Sequence, residues 1–131
     1  MLNAKEPRAT VAVRNLEAAR RFYEGTVGLT PPRNPDPRMV NYRCGSAWLF
    51  VYESENAGSN QATAVTWIVG DDLAETVSAL ASKGVAFEQY DIPGAAKEGD
   101  VYVFGPIKTA WFRDPDGNLL SLSEVPGRQL R

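Results

Sequence analysis

Apolar and polar positions alternate over Thr10-Val11-Ala12-Val13 and again over Val65-Thr66-Trp67-Ile68-Val69, the spacing of half-buried strands. Each strand runs into a stretch with helical periodicity. After the first, Asn15 is placed to cap a helix, and Leu16, Ala19, Phe22 and Tyr23 form its apolar stripe, with Gly25 and Gly28 at the exit. After the second, Asp72 and Glu75 have the spacing of a reciprocal capping box; Leu73, Thr76, Val77 and Leu80 form the stripe, and Gly84 ends it. Val13 and Val69 lie 56 residues apart, as do Gly28 and Gly84, so the chain reads as one phrase used twice.

Short strands and turns follow each helix. The loop Pro31–Arg38 holds four prolines, which exclude both helix and central strand. Met39–Cys44 and Ala47–Tyr52 read as two strands turning at Gly45-Ser46. The polar segment Ser54–Ala62 is the expected connector between modules at about 8–53 and 63–124 of a single domain. In the second module, strands are expected at Val85–Tyr90, Val101–Phe104, Lys108–Arg113 and Asn118–Ser123, with a loop from Pro93 to Asp100. The last two strands meet at Asp114-Pro115-Asp116-Gly117, a strong hairpin signal. The arrangement is βαβββ twice, an α+β fold with mixed sheet and helices on one face.

Composition narrows the chemistry more than the fold. The 131 residues are 44% hydrophobic and 23% charged, the balance of a globular chain. No run of 18 apolar residues is present, and residues 1–8 lack the apolar stretch of a signal peptide, so no membrane association is expected. One cysteine, Cys44, excludes an internal disulfide and points to the cytoplasm; it reads as a small buried hydrophobe. A net charge of −2 gives no basic footprint for nucleic acid. Residues 61–131 hold six Lys/Arg against ten Asp/Glu, a mild acidic bias. There are no histidines, which removes Ser-His-Asp and Cys-His catalysis and the commonest metal-binding side chain.

Two segments resemble a known superfamily, the vicinal oxygen chelate proteins, which include glyoxalase I, extradiol dioxygenases, and fosfomycin and bleomycin resistance proteins. Val13-Arg14-Asn15-Leu16-Glu17-Ala18-Ala19-Arg20-Arg21-Phe22-Tyr23, followed by Gly28-Leu29, is similar to the family's opening motif. Trp111-Phe112-Arg113-Asp114-Pro115-Asp116-Gly117-Asn118 is similar to its closing one. The resemblance implies two βαβββ modules forming a curved mixed sheet cup with the helices outside. It also implies four metal-ligand positions, which fall here at Arg8, Phe50, Ala64 or Val65, and Ser121. A guanidinium repels a divalent ion and a hydroxyl is a weak donor, so no metal and no cofactor are expected.

Alternation along 47–52 places Leu49 and Val51 toward the helix and Trp48, Phe50 and Tyr52 toward the cup. Ligand contacts are expected from these three, from Tyr102, Phe104 and Trp111, and from Ser121 and Arg8. Trp67 reads as core beneath the second helix. Tyr23 and Phe22 read as one core residue and one interfacial one, with no catalytic tyrosine. Asp114–Asn118 has its glycine too early for a calcium loop and reads as a turn. Glu88, Asp91, Glu98 and Asp100 read as a solvated face, or as a lure for a cationic ligand.

The reading that results is a metal-independent small-molecule binding protein, a homodimer, similar to bleomycin-resistance-type proteins that sequester planar, aromatic, cationic drugs between subunits. The alternative is a glyoxalase, lyase or dioxygenase-type enzyme on a small organic substrate, using Glu, Asp or Tyr for proton transfer. A closed, inert subunit is the third possibility. A binder needs a stacking surface, whereas an enzyme needs a carboxylate or phenol aimed into the cup with a shifted pKa.

Overall fold

The computed structural model describes residues 1–33 and 36–126; the expected loop Pro31–Arg38 includes Asn34 and Pro35, which lie outside them. By contact the chain divides into Met1–Ala64 with Asp114–Asn118, and Val65–Arg113 with the stretch from Leu119 onward. The class is α+β: a three-stranded sheet, a five-stranded sheet and two α-helices.

In the first unit, β1 (Ala9–Val13) and β2 (Met39–Cys44) flank β3 (Ala47–Glu53), parallel and antiparallel to it respectively. Register brings Val11 beside Val51, and Val40 and Tyr42 opposite Val51 and Leu49, so one sheet face is a continuous buried apolar layer. Helix α1 (Leu16–Arg20) presents Leu16 and Ala19 as its buried residues. Its start is doubly capped: Asn15 Oδ1 accepts from the Ala18 amide at 2.8 Å, and Glu53 Oε2 accepts from the Leu16 amide at 3.0 Å. The helix then widens into a π-helical stretch, Arg21–Thr26, with the Val27 amide donating to the Phe22 carbonyl. Within it Tyr23 is fully buried and Phe22 half-buried, the rings meeting edge to face at 5.1 Å.

Asp114–Asn118 belongs to this unit because its polar atoms are spent there. Asp114 Oδ1 accepts from the amides of Asp116 and Asn118, both at 2.9 Å. Its Oδ2 accepts from Tyr23 Oη and Asn118 Nδ2, both at 2.8 Å. Asn118 Nδ2 also donates to the Ala12 carbonyl at 2.7 Å. Gly58 lies against the same turn at φ 69°, and a Cβ there would sit 1.9 Å from the Asp116 carbonyl oxygen.

In the second unit, β4 (Thr63–Ile68) neighbours β8 (Leu119–Glu124), which pairs antiparallel with β7 (Ile107–Arg113), then β6 (Val101–Phe104) and β5 (Ala96–Glu98). Helix α2 (Leu73–Ser82) buries Leu73 and Leu80, with Thr76 and Val77 half-buried beside them, as its periodicity predicts. It ends as Gly84 predicts: at φ 93° the glycine amide bonds the Ala81 carbonyl and the Val85 amide bonds that of Leu80. Gly28, its counterpart 56 residues earlier, also has a positive φ, of 88°.

Four expectations change. The first module is βαββ among the described residues, since the polar connector follows β3 directly. Val85–Tyr90 is not a strand: Phe87 turns into the core against Phe112 and the Glu88 amide bonds the Trp111 carbonyl, while Ala96–Glu98, inside the expected loop, takes the sheet edge. The Asp72 side chain makes no cap bond; a 3-10 turn, Gly70–Asp72, leads into the helix instead. Trp67 is half-buried rather than fully enclosed.

Burial and the Asp114 carboxylate hold the Tyr23 phenol well above the ordinary tyrosine value of 10.0, and burial and Glu24 do the same for Tyr42. Both phenols stay neutral when folded, so their contribution is complete below pH 10 and is lost as pH rises past it, where the unfolded chain ionises. Denaturant unfolding should therefore show stability falling between about pH 9 and pH 11, and less steeply in Tyr42→Phe. Tyr23→Phe, which takes one donor from a buried carboxylate, should cost about 1–3 kcal/mol at neutral pH.

Candidate functional site

The sheet faces sort the candidate residues. On β3, Leu49 and Val51 are buried, while Trp48 and Tyr52 are 39% and 37% exposed and Phe50 is half-buried between them. The expected division of this strand is thus the observed one. The three aromatics are not three open plates, however. Phe50 and Tyr52 stack on each other, centroids 5.7 Å apart and planes within 9°. Trp48 is held by two cations: the guanidinium carbons of Arg8 and Arg43 lie 5.4 and 5.7 Å from its ring centroid. Arg8 also donates from Nη1 to Asn41 Oδ1 at 2.9 Å, and Asn41 pairs with Phe50 in the ladder. Beside Trp48 a hollow of about 250 Å³ is bordered by Glu6, Pro7, Arg8, Ser46 and Ala47.

Arg43 was not among the expected contacts, although its place is deducible from the hairpin. A two-residue turn at Gly45-Ser46 pairs Cys44 with Ala47 and therefore Arg43 with Trp48. Cys44, on the opposite parity, is half-buried.

In the second unit, Tyr102, Phe104, Trp111 and Ser121 also share one sheet face, as the pairings Tyr102–Thr109 and Trp111–Ser121 require. Trp111 is the hub, edge-on to Tyr102 at 5.5 Å, Phe104 at 6.3 Å and Tyr90 at 5.6 Å. Tyr90, from the segment expected to be a strand, is the addition here. Tyr102 is buried, and its hydroxyl accepts from the Tyr90 amide. Ser121 is buried too, its hydroxyl 2.6 Å from that of Thr66, and a second hydroxyl pair, Thr109 and Ser123, lies 2.9 Å apart. Tyr102 and Ser121 are therefore structural members of this face, and Trp111, Phe104 and Tyr90 are its more accessible aromatics.

Some charged groups on this unit have partners. Glu88 holds Arg113 at 2.8 Å, and that hydrogen bond keeps the guanidinium above its usual pKa. Asp100 accepts from Gln89 at 2.8 Å, and Lys97 donates to Gln89 while lying over the Tyr102 ring. Two of the four acidic residues read as a solvated face or a lure for a cation, Glu88 and Asp100, are thus engaged.

The other strongly coupled cluster lies at α1. Burial raises the Glu24 carboxyl, but hydrogen bonds from Arg20 and Tyr42 outweigh it and leave Glu24 below its usual range. A hollow of about 610 Å³ runs along this helix past Arg20, Arg21 and Glu24. Its polar groups bond each other, and Tyr42 is buried, so the cluster braces the helix.

The positions where resemblance would place metal ligands do not fit a divalent ion. Arg8 is a cation bound to an indole, Phe50 a hydrocarbon ring, Ala64 a methyl group, and Ser121 a neutral hydroxyl bonded to Thr66. Among the described residues no three His, Cys, Asp or Glu side chains are grouped to hold a metal.

Residues 7–122 match the model of the Glyoxalase/Bleomycin resistance protein/Dioxygenase superfamily. Similar solved structures include an integron cassette protein from the mobile metagenome of the Halifax Harbour sewage outfall, 19% identical, with a TM-score of 0.67 over 92% of this chain and 99% of that one. The fosfomycin resistance protein FosX from Mesorhizobium loti is 15% identical, covering 97% of both chains, with a TM-score of 0.67. A lactoylglutathione lyase from Agrobacterium tumefaciens is 16% identical, covering 96% of both, also at 0.67. A search of curated proteins returns no significant match. At these identities the likeness is one of fold.

The face assignment sets an order of stabilities. Leu49→Ala, which opens a cavity in the buried layer, should cost about 2–5 kcal/mol in denaturant unfolding. Trp48→Ala, on the open face, should cost clearly less.

Proposed function

For a chain that belongs to the glyoxalase/bleomycin resistance protein/dioxygenase superfamily, we propose that it binds a small aromatic or heterocyclic molecule without a resident metal ion. In this reading it acts as a sequestering protein of the bleomycin-resistance type. One observation carries it: Trp48, Phe50 and Tyr52 line the open face of β3 while the strand's aliphatic residues fill the core. A row of rings held at a sheet surface offers stacking area with little side-chain entropy to lose. The donor-poor positions Arg8, Phe50 and Ser121 support a site without metal. A cytoplasmic setting agrees with the single cysteine.

We further propose that it works as a homodimer. Among the described residues the sheet edges β1, β2, β4 and β5 have a strand neighbour on one side only, and a second copy is the simplest means of covering such edges. Among the described residues no helix is long and apolar enough to cross a membrane.

The alternative is an enzyme of lyase or dioxygenase type. It would require a proton-transfer group on the open faces, where Glu88 is paired with Arg113 and the Tyr52 ring is stacked on Phe50. Binding therefore remains the better-supported reading.

Native mass spectrometry of the purified protein should reveal a copurifying aromatic small molecule, and elemental analysis should find well under one Zn, Ni, Fe or Mn per chain. Trp48→Ala should weaken binding of that molecule about tenfold or more, the loss of roughly 1.4 kcal/mol. EDTA should leave binding unchanged. A stoichiometric metal whose removal abolishes binding would overturn the metal-free reading. Sedimentation at micromolar concentration should give a dimer.

A further inference from the structure

The two arginines on Trp48 are arranged unlike four of the others. Arg14, Arg20, Arg21 and Arg113 each have a carboxylate oxygen within 3.9 Å. Arg8 and Arg43 have none among the described residues. Arg8 donates to the neutral Asn41 amide oxygen, and Arg43 Nε donates to the Gly45 carbonyl at 3.2 Å. Both guanidiniums nevertheless lie within 5.7 Å of one indole centroid, and both are exposed.

A guanidinium keeps its charge throughout the range in which proteins fold. Two of them beside one indole make the surroundings of Trp48 electropositive, and an oxyanion brought there is attracted by both. The arrangement is built by register: β2 sets Arg43 opposite Trp48, and the approach to β1 brings Arg8 to the same ring. The adjoining rows carry Phe50 and Tyr52 flanked by Asn41 and Met39, with no carboxylate on these rungs. Glu6 and Asp36 border the hollows on either side of Trp48, but neither pairs with these arginines, and Asp36 already accepts from the Arg38 amide.

We propose that the ligand of this face is an aromatic anion, a planar ring bearing a carboxylate or similar oxyanion. Its charged group lies against Arg8 and Arg43 and its ring along Phe50 and Tyr52. This rests on the reading of the Trp48 face as a small-molecule site. It reverses the polarity expected from the acidic second half of the sequence, because the charges nearest the aromatic row are cationic.

The full-length protein would be titrated with 2-naphthoate, 2-naphthamide and 2-naphthylmethylammonium, following the backbone amide signals of Asn41, Trp48, Phe50 and Tyr52. Naphthoate should shift them, the amide should bind about tenfold more weakly, and the ammonium compound should leave them unmoved. Arg8→Gln and Arg43→Gln should each weaken naphthoate about fivefold, and added salt should do likewise, with naphthamide affected little. Glu6→Gln should not weaken it. Equal binding of naphthoate and naphthamide at these residues, or tighter binding of the ammonium compound, would overturn the charge assignment while leaving the aromatic site standing. Failure of all three to shift these residues would overturn both. A naphthoate response confined to other residues would also overturn the proposal.

Discussion

The carboxylate of Asp114 is where the first unit is drawn together. All four of its lone-pair directions are used: two by the amides of its own turn, one by Asn118 Nδ2 and one by the Tyr23 hydroxyl. A buried carboxylate with fewer donors would be costly to desolvate, so the turn, the π-helical stretch carrying Tyr23 and the strand offering the Ala12 carbonyl must all be in place together. Gly58 packs against the same turn, where a Cβ would meet the Asp116 carbonyl. The DPDGN segment therefore acts as a structural clamp, and its carboxylate has no capacity left for a cation.

That accounting also explains why perturbed titration does not mark a catalytic centre here. The groups moved furthest are Tyr23 and Tyr42, both buried and both bonded to carboxylates that belong to helix-bracing clusters. Glu24 is depressed by Arg20 and Tyr42, partners that keep it occupied. Shifted pKa values are as much a property of structural networks as of active sites. With no histidine in the chain, the chemistry that stands out lies on the open face of β3, in aromatic rings and guanidiniums, groups suited to holding a ligand.

Strand and helix patterns are legible in the sequence where one face of a regular element is buried, because alternation and the 3.6-residue stripe are direct records of burial. Leu49 and Val51 inward with Trp48 and Tyr52 outward, the stripe Leu73–Leu80, and the glycine ends at Gly28 and Gly84 are of this kind. Val85–Tyr90 departs from its pattern because Phe87 is apolar for packing against Phe112, not for the face of a strand. The Asp72–Glu75 spacing misled because a 3-10 turn ahead of the helix takes the side chain out of capping position.

The candidate site divides in the same way. By itself the sequence determined the fold class, the parity of every aromatic on β3 and the absence of imidazole chemistry, since each depends on residue identity and local period alone. Only the tertiary structure decided which partners those side chains keep. It stacked Phe50 on Tyr52, set Arg8 and Arg43 on Trp48, buried Tyr102 and Ser121 in bonds to Tyr90 and Thr66, and gave Tyr23 to Asp114 across 91 residues of chain. Such pairings depend on register and on contacts distant along the chain. A local pattern shows which way a side chain faces, but it carries no record of what will be waiting there.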